Sequence, residues 1–180
     1  MALFIKHITS GVLLVLSGMS ASQAVAAITD IKANITDGSC QISVDNANIT
    51  FDRKDVSQFT AGTATVLPLD INLNCVGMQG QAPSLSVSGE SSGLSDTRLF
   101  RAASSSAQYV GFMLKKGTLT SLADFYNASG TVAPGDKVLI NPVDGDSVEA
   151  FSVGLVRSAG DSMPTAGAVN AKITFAFIFP

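Results

Sequence analysis

The sequence has a single histidine, no tryptophan and only two cysteines among its 180 residues. Catalysis by a serine or cysteine nucleophile needs a base, and the one histidine, His7, lies in an N-terminal segment that we expect to be removed. Metal sites use histidine, cysteine and clustered carboxylates, and no such pattern occurs. The sequence therefore argues against an enzyme and predicts no cofactor.

Charged residues are also scarce, at 14% of the chain, and the net charge is −3. A protein that binds nucleic acid needs a concentrated positive surface, and the basic residues here do not cluster. The only tyrosines are Tyr109 and Tyr126, so there is no aromatic platform for a sugar. We predict neither a nucleic-acid partner nor a small-molecule substrate.

Residues 1–26 have the features of a signal peptide. Lys6 precedes an apolar run over residues 8–16, and Ala24-Val25-Ala26 matches the small-x-small pattern of a cleavage site. The run is too short to span a bilayer. We therefore predict export, with cleavage after Ala26 or Ala27.

The two cysteines, Cys40 and Cys75, both lie in the predicted exported part. An oxidising compartment favours joining them, whereas a reactive or metal-binding cysteine would lack a histidine partner and further ligands. The sequence predicts a disulfide between them.

Beyond the signal peptide the apolar residues alternate with period two, and no long helical pattern occurs. This predicts an all-β, single-domain sandwich of about seven strands. We expect a first core strand from Cys40 to Phe51 and a second that starts after Pro68, with Leu69, Ile71, Leu73 and Cys75 on one face. Further strands are predicted around Leu85 and Val87, over Tyr109–Lys116, around Val138 and Ile140, and through Phe151, Val153 and Leu155.

The two ends of the exported part are unusual. Near the start, Thr29, Ile31, Ala33 and Ile35 alternate with polar residues, as in a strand with one polar face. At the end, Ala171, Ile173, Phe175, Phe177 and Phe179 form an apolar row. Since Ala176 and Ile178 are also apolar, we expect this strand to be covered on much of both sides. It is either the last strand of a complete sandwich or one wall of a groove that another chain completes.

Four segments together resemble the pilin subunits of bacterial chaperone-usher fimbriae, particularly the type 1 kind. The first is the arm of residues 31–35 followed by Gly38-Ser39-Cys40, and the second and third are the strands of residues 69–75 and 110–114. The fourth is the ending, where the residues that match the family pattern are Gly167, Asn170-Ala171, Thr174-Phe175 and Phe179.

The resemblance implies an incomplete immunoglobulin-like sandwich that lacks its last strand and carries an N-terminal donor-strand extension. The chain would divide into a signal peptide (1–26), an arm (27–39) and a pilin domain (40–180). Donor side chains would be Thr29, Ile31, Ala33 and Ile35, and the strand facing the acceptor groove and the chaperone would present Ile173, Phe175, Phe177 and Phe179.

The partners implied are a periplasmic chaperone, an outer-membrane usher and neighbouring pilin subunits. The chain would pass through the periplasm to a cell-surface fimbrium, as a shaft subunit or a minor adaptor that supports cell adhesion. Because the arm directly follows the signal peptide, we do not expect a two-domain adhesin. The alternative is a self-complete exported sandwich that binds a ligand such as a glycan as a monomer.

Three positions depart from the family pattern. Ala33 stands where the family usually has glycine, Phe179 replaces a tyrosine, and Pro180 ends the chain in place of a polar residue. The methyl group of Ala33 would need to fit a shallow pocket in its acceptor, and Phe179 would lose a hydroxyl hydrogen bond.

Overall fold

The computed structural model describes residues 38–60, 62, 64–119 and 125–179, which all lie in one compact unit. The predicted signal peptide and residues 27–37 of the arm lie outside these residues. The described residues form eight β-strands: β1 (Ser39–Val44), β2 (Thr65–Val76), β3 (Ser84–Gly89), β4 (Val110–Lys116), β5 (Thr131–Val132), β6 (Lys137–Leu139), β7 (Gly145–Arg157) and β8 (Ile173–Ile178).

The strands pair antiparallel in two sheets, ordered β1-β2-β7-β4-β5 and β6-β3-β8. The main core lies between the sheets, with Ile71 and Phe151 from the first packing in one cluster with Leu85 and Val87 from the second. All four side chains are buried. The two sheets form an immunoglobulin-like sandwich, which confirms the predicted all-β fold class.

The alternation along β2 places its apolar residues in this core. Leu69, Ile71, Leu73 and Cys75 are all buried, as predicted. The predicted start was wrong, since β2 begins at Thr65 and runs through Pro68. Pro68 lies beyond the last pair with β1, which joins Val44 to Ile71. At Pro68 the edge of β2 that faces β1 has no partner strand, so a proline, which has no N–H group, is tolerated at this position.

The first core strand is shorter than predicted, because β1 ends at Val44. The chain then turns, with the Asn48 N–H donating to the Asn46 side chain at 3.3 Å. Ile49 and Phe51 still pack against the core, but from an irregular segment. A 3-10 turn follows at Val56–Gln58, and the described part of the chain has no helix with the length and apolarity needed to cross a membrane.

Cys40 and Cys75 lie directly opposite each other in the β1–β2 register and are joined by a disulfide. Since β1 pairs with β2 alone among the described strands, the bond fixes the end of an edge strand. The disulfide predicted from the sequence is present.

Replacing both cysteines by alanine should lower the free energy of unfolding by about 3 kcal/mol, because the bond closes a loop across 35 positions and so restricts the unfolded chain. Denaturant unfolding of the double variant and of reduced wild type checks this. The two samples should agree, and a double variant as stable as the oxidised protein would contradict the prediction.

The outer face of β4 is covered as well, which the sequence did not predict. Met113 and Lys115 are fully buried there, and Met113 packs in a second cluster with Leu99, Phe125 and Val156. The Lys115 ammonium group donates to the Tyr126 carbonyl at 3.3 Å, to the Ala128 carbonyl and to the Thr131 hydroxyl. Burial lowers the pKa of Lys115. The chain around residues 125–131 therefore covers this part of the sheet.

A carboxylate at the edge of this second cluster ties together three segments. Arg98 donates to the Asp96 carboxylate through Nε at 2.9 Å and Nη2 at 2.7 Å, and the Tyr126 hydroxyl also donates to it. The Ala159 N–H in turn donates to the Tyr126 hydroxyl at 2.9 Å. The hydrogen bonds from Arg98, opposed by burial, lower the pKa of Asp96 from 3.8 to about 2.

Because the pKa of Asp96 is lower in the folded chain, its contribution to stability is complete above about pH 4 and disappears as the pH falls towards 2. We expect it to be on the order of 2 kcal/mol. Denaturant unfolding of wild type and Asp96→Asn near neutral pH and at about pH 2.5 checks this. The difference between the two proteins should shrink at low pH, and an equal difference at both would contradict the prediction.

Candidate binding groove

A groove of about 1080 Å³ with an apolar floor lies along the side of the sandwich, between the region after β1 and the chain leading into β8. One wall consists of residues within 44–59 and the other of residues within 164–175. The floor is made by the core-facing side chains of β2, β4 and β7, namely Leu69, Val110, Phe112, Val153 and Leu155.

The wall formed by β8 is paired along one edge and partly buried on one face. Among the described strands β8 pairs only with β3, so its other edge faces the groove. Ile173, Phe175 and Phe177 are partly buried, whereas Thr174 and Ala176 on the opposite face are exposed. The expectation that this strand is covered on much of both sides was therefore wrong for Thr174 and Ala176, whereas Ile178 on the same face is partly buried. A methyl group such as that of Ala176 is small, so its exposure costs little.

Three of the four predicted acceptor residues lie in β8, and the fourth, Phe179, follows its end. Ile173 and Phe175 line the groove, and the Phe175 ring lies 5.4 Å from the ring of Phe151 beneath it. Phe177 packs against the main core and pairs with Leu85 in the ladder. Phe179 is 41% exposed and meets the Phe177 ring edge-on, with the centroids 5.1 Å apart.

The opposite wall was missed by the sequence analysis. Ile49, Phe51 and Phe59 line it, and the Phe51 ring lies 5.4 Å from that of Phe112 on the floor. The period-two spacing of Ile49 and Phe51 was recognised, but it was assigned to a strand inside the core. The four predicted donor residues, at positions 29, 31, 33 and 35, lie outside the described residues.

The groove leaves two kinds of group without partners within the part of the chain that the structure describes. The backbone edge of β8 has N–H and C=O groups available for pairing. The groove side chains Ile49, Phe51, Phe112, Ile173 and Phe175 are only partly removed from water, whereas the other floor residues are buried. An extended segment could pair with β8 and insert every second side chain, which would satisfy both. No three His, Cys, Asp or Glu side chains of the described residues are grouped to hold a metal ion.

The described residues thus form an immunoglobulin-like sandwich with a groove beside its last described strand. The chain belongs to the fimbrial protein family, whose family model matches residues 29–179. No curated protein sequence matches the chain.

Solved structures that share this fold include two fimbrial proteins. One is a type I fimbria protein and antigen of Burkholderia pseudomallei, at 18% identity and a TM-score of 0.52, covering 79% of this chain and 99% of that protein. The other is the P pilus rod subunit PapA, at 18% identity and a TM-score of 0.51, covering 77% of this chain and 98% of PapA.

Membership of this family assigns the chain a structural rather than an enzymatic role. It is a subunit of a fimbria, located at the cell surface and interacting with other pilin subunits.

Proposed function

We propose that this chain is a subunit of a bacterial chaperone-usher fimbria and that it polymerises by donor-strand exchange. The observation that carries the proposal is the groove beside β8, where an available strand edge lies next to half-buried apolar side chains. An exposed edge of this kind promotes aggregation unless a partner strand covers it. Such a subunit therefore needs a partner from the moment it folds.

The segment that would act as donor is the arm, residues 27–39, which would follow a signal peptide over residues 1–26. Thr29, Ile31, Ala33 and Ile35 alternate with polar residues, so one face of the arm could enter a groove while the other remains in water. The family match begins at residue 29 and so includes these four positions. In the fimbria the arm would fill the groove of the neighbouring subunit.

Before assembly, a periplasmic chaperone would lend a strand to the groove, and the exchange for a neighbour's arm would take place at the outer-membrane usher. The lending of a strand to pilins by chaperones is a known instance of β-strand addition. The export route follows from the proposed signal peptide. Either a shaft position or an adaptor position, supporting cell adhesion, is compatible with this scheme.

The proposal is tested with the exported chain, residues 27–180, and a synthetic peptide of residues 27–38. Thermal unfolding and size distribution are measured for the protein alone, with this peptide, and with a matched peptide that carries aspartate at positions 31 and 35. We expect the protein alone to aggregate or unfold at low temperature, and only the unmodified peptide to stabilise it as a monomer.

A monomer that is stable alone and indifferent to both peptides has two possible explanations: a self-complete sandwich, or an arm folded into its own groove. Deletion of residues 27–37 separates them, because only a self-complete sandwich would be unaffected. That result would contradict the proposal and favour the alternative of a monomeric ligand-binding protein.

A further inference from the structure

The groove wall before β8 is irregular and is held in place by another segment. Residues 164–170, which we call the rim, lie against residues 102–108, which we call the supporting turn. Seven backbone N–H groups connect them. Four donate to backbone carbonyls: Ala102 to Asn170 at 2.8 Å, Ser106 and Ala107 to Ala168 at 2.9 and 3.0 Å, and Thr165 to Gln108 at 3.2 Å. Three donate to side-chain hydroxyls: Gln108 to Thr165 at 2.9 Å, Ala168 to Ser106 at 2.9 Å, and Asn170 to Ser105 at 3.1 Å.

The contact between rim and supporting turn is too close for a side chain at Gly167. A Cβ atom there would lie 2.6 Å from the backbone nitrogen of Ala107 and 2.9 Å from the carbonyl carbon of Ser106. Both are backbone atoms and cannot move aside without shifting the turn. The position of the rim therefore depends on the position of the turn.

Arg101 organises the supporting turn from inside. Its side chain is buried, with 6% exposure, and donates to three backbone carbonyls: Ser92 at 2.7 Å, Ser105 at 2.8 Å and Ala107 at 2.7 and 3.2 Å. It takes part in neither of the ion pairs found among the described residues. A buried charge is costly unless its donors are satisfied. The planar guanidinium has five N–H donors, so one side chain can donate to several carbonyls at once.

The base of this arrangement is fixed to the groove floor. Phe100 is fully buried and exchanges two backbone hydrogen bonds with Phe112, at 2.8 and 3.0 Å. Phe112 lines the floor of the groove, whereas Arg101 does not line the groove at all. A continuous series of contacts thus runs from the floor through Phe100 and Arg101 to the supporting turn and the rim.

We propose that Arg101 is a positioning residue that sets the distance between the rim and the floor, and so determines how firmly the groove retains an inserted strand. This inference rests on the proposed function in that the groove takes up a strand. Arg101 acts on the strand only through the rim. Its removal should loosen one wall and leave the sandwich folded.

The first measurement is amide hydrogen exchange of the exported chain with the 27–38 peptide as probe, in wild type, Arg101→Met and Arg101→Lys. Methionine has an unbranched apolar side chain of similar length but no hydrogen-bond donor. Lysine keeps the positive charge, but all its donors are on a single nitrogen atom. We expect roughly tenfold faster exchange in residues 102–108 and 165–170 of Arg101→Met, a smaller increase in Arg101→Lys, and unchanged protection in β2 and β7.

Arg98→Met is the matched control. It also removes an arginine, but one whose side chain donates hydrogen bonds to Asp96 and not to the rim or the supporting turn. It should leave exchange in the rim unchanged even though it weakens the protein. A rim that remains as protected in Arg101→Met as in wild type would overturn the inference, as would equal loss of protection throughout the sandwich.

The second measurement is the dissociation rate of the same peptide, labelled with a fluorophore. We expect dissociation from Arg101→Met to be about tenfold faster than from wild type and Arg98→Met. Faster rim exchange with unchanged dissociation would overturn the retention role. A wild type that binds no peptide would count against the proposed function instead, and the exchange result would still decide whether Arg101 positions the rim.

Discussion

Replacing Ile31 or Ile35 by aspartate is expected to exclude the subunit from assembled fimbriae while leaving its own fold intact. Each substitution would place a carboxylate in the apolar groove of the neighbouring subunit, at a cost of roughly 3 kcal/mol or more. That corresponds to at least about a hundredfold loss of affinity. The measurement is the amount of subunit in purified fimbriae relative to the soluble amount in the periplasm.

Asn34→Asp is the matched control for both substitutions. It adds the same charge to the same arm, but on the face that we expect to remain in water. Its incorporation should be close to that of wild type. Normal fimbriae from the Ile31 and Ile35 variants would contradict the donor assignment, and equal loss in all three variants would mean that charge on the arm, rather than its apolar face, decides incorporation.

The strands that the sequence predicted correctly are those whose two faces differ. Along β2 the alternation of Leu69, Ile71 and Leu73 with polar residues identifies the core face without ambiguity, and all three are buried. The burial of Phe151 and Val153 on β7 was predicted from the same spacing, although Ser152 and Val156 on the other face are buried as well. Alternation predicts which side chains are buried because a strand with one polar face has only one stable orientation.

The groove walls could not be derived in this way. Ile49 and Phe51 have the spacing of a strand, but the turn after Val44 removes them from β1, and they contact the groove from an irregular segment. The rim depends on Arg101, which is more than 60 positions away from it in the chain. Its buried hydrogen bonds are made to backbone carbonyls, which leave no pattern of side chains in the sequence.

The last strand combines both situations. The apolar row that includes Phe175 and Phe177 identified the inner face, but Ala176 misled the prediction for the outer face, where Thr174 and Ala176 are exposed. Under the proposed function, a strand with an apolar inner face and one available edge needs its groove to be filled. This is why the two unusual ends of the chain are best explained together, one as the strand that is offered and the other as the site that receives it.

Phe177→Asp should prevent the subunit from folding normally, in contrast to the substitutions in the arm. Phe177 packs against the main core and pairs with Leu85, which is fully buried. The substitution removes a large aromatic contact and adds a charge without a partner, which together should cost roughly 3 to 5 kcal/mol. Most domains are stable by only about 5 to 15 kcal/mol, and one with an unfilled groove lies towards the lower end. We expect the soluble periplasmic yield to fall sharply.

The adjacent residue supplies the control, because Ala176 is exposed on the other face of β8. Ala176→Asp introduces the same charge one position away, where water solvates it, and its yield should be near that of wild type. If Phe177→Asp were recovered at wild-type yield, β8 would not be a structural wall of the core. If both variants were lost, the outer face of β8 would itself be a contact surface, since only burial by a partner would make a charge at position 176 so costly.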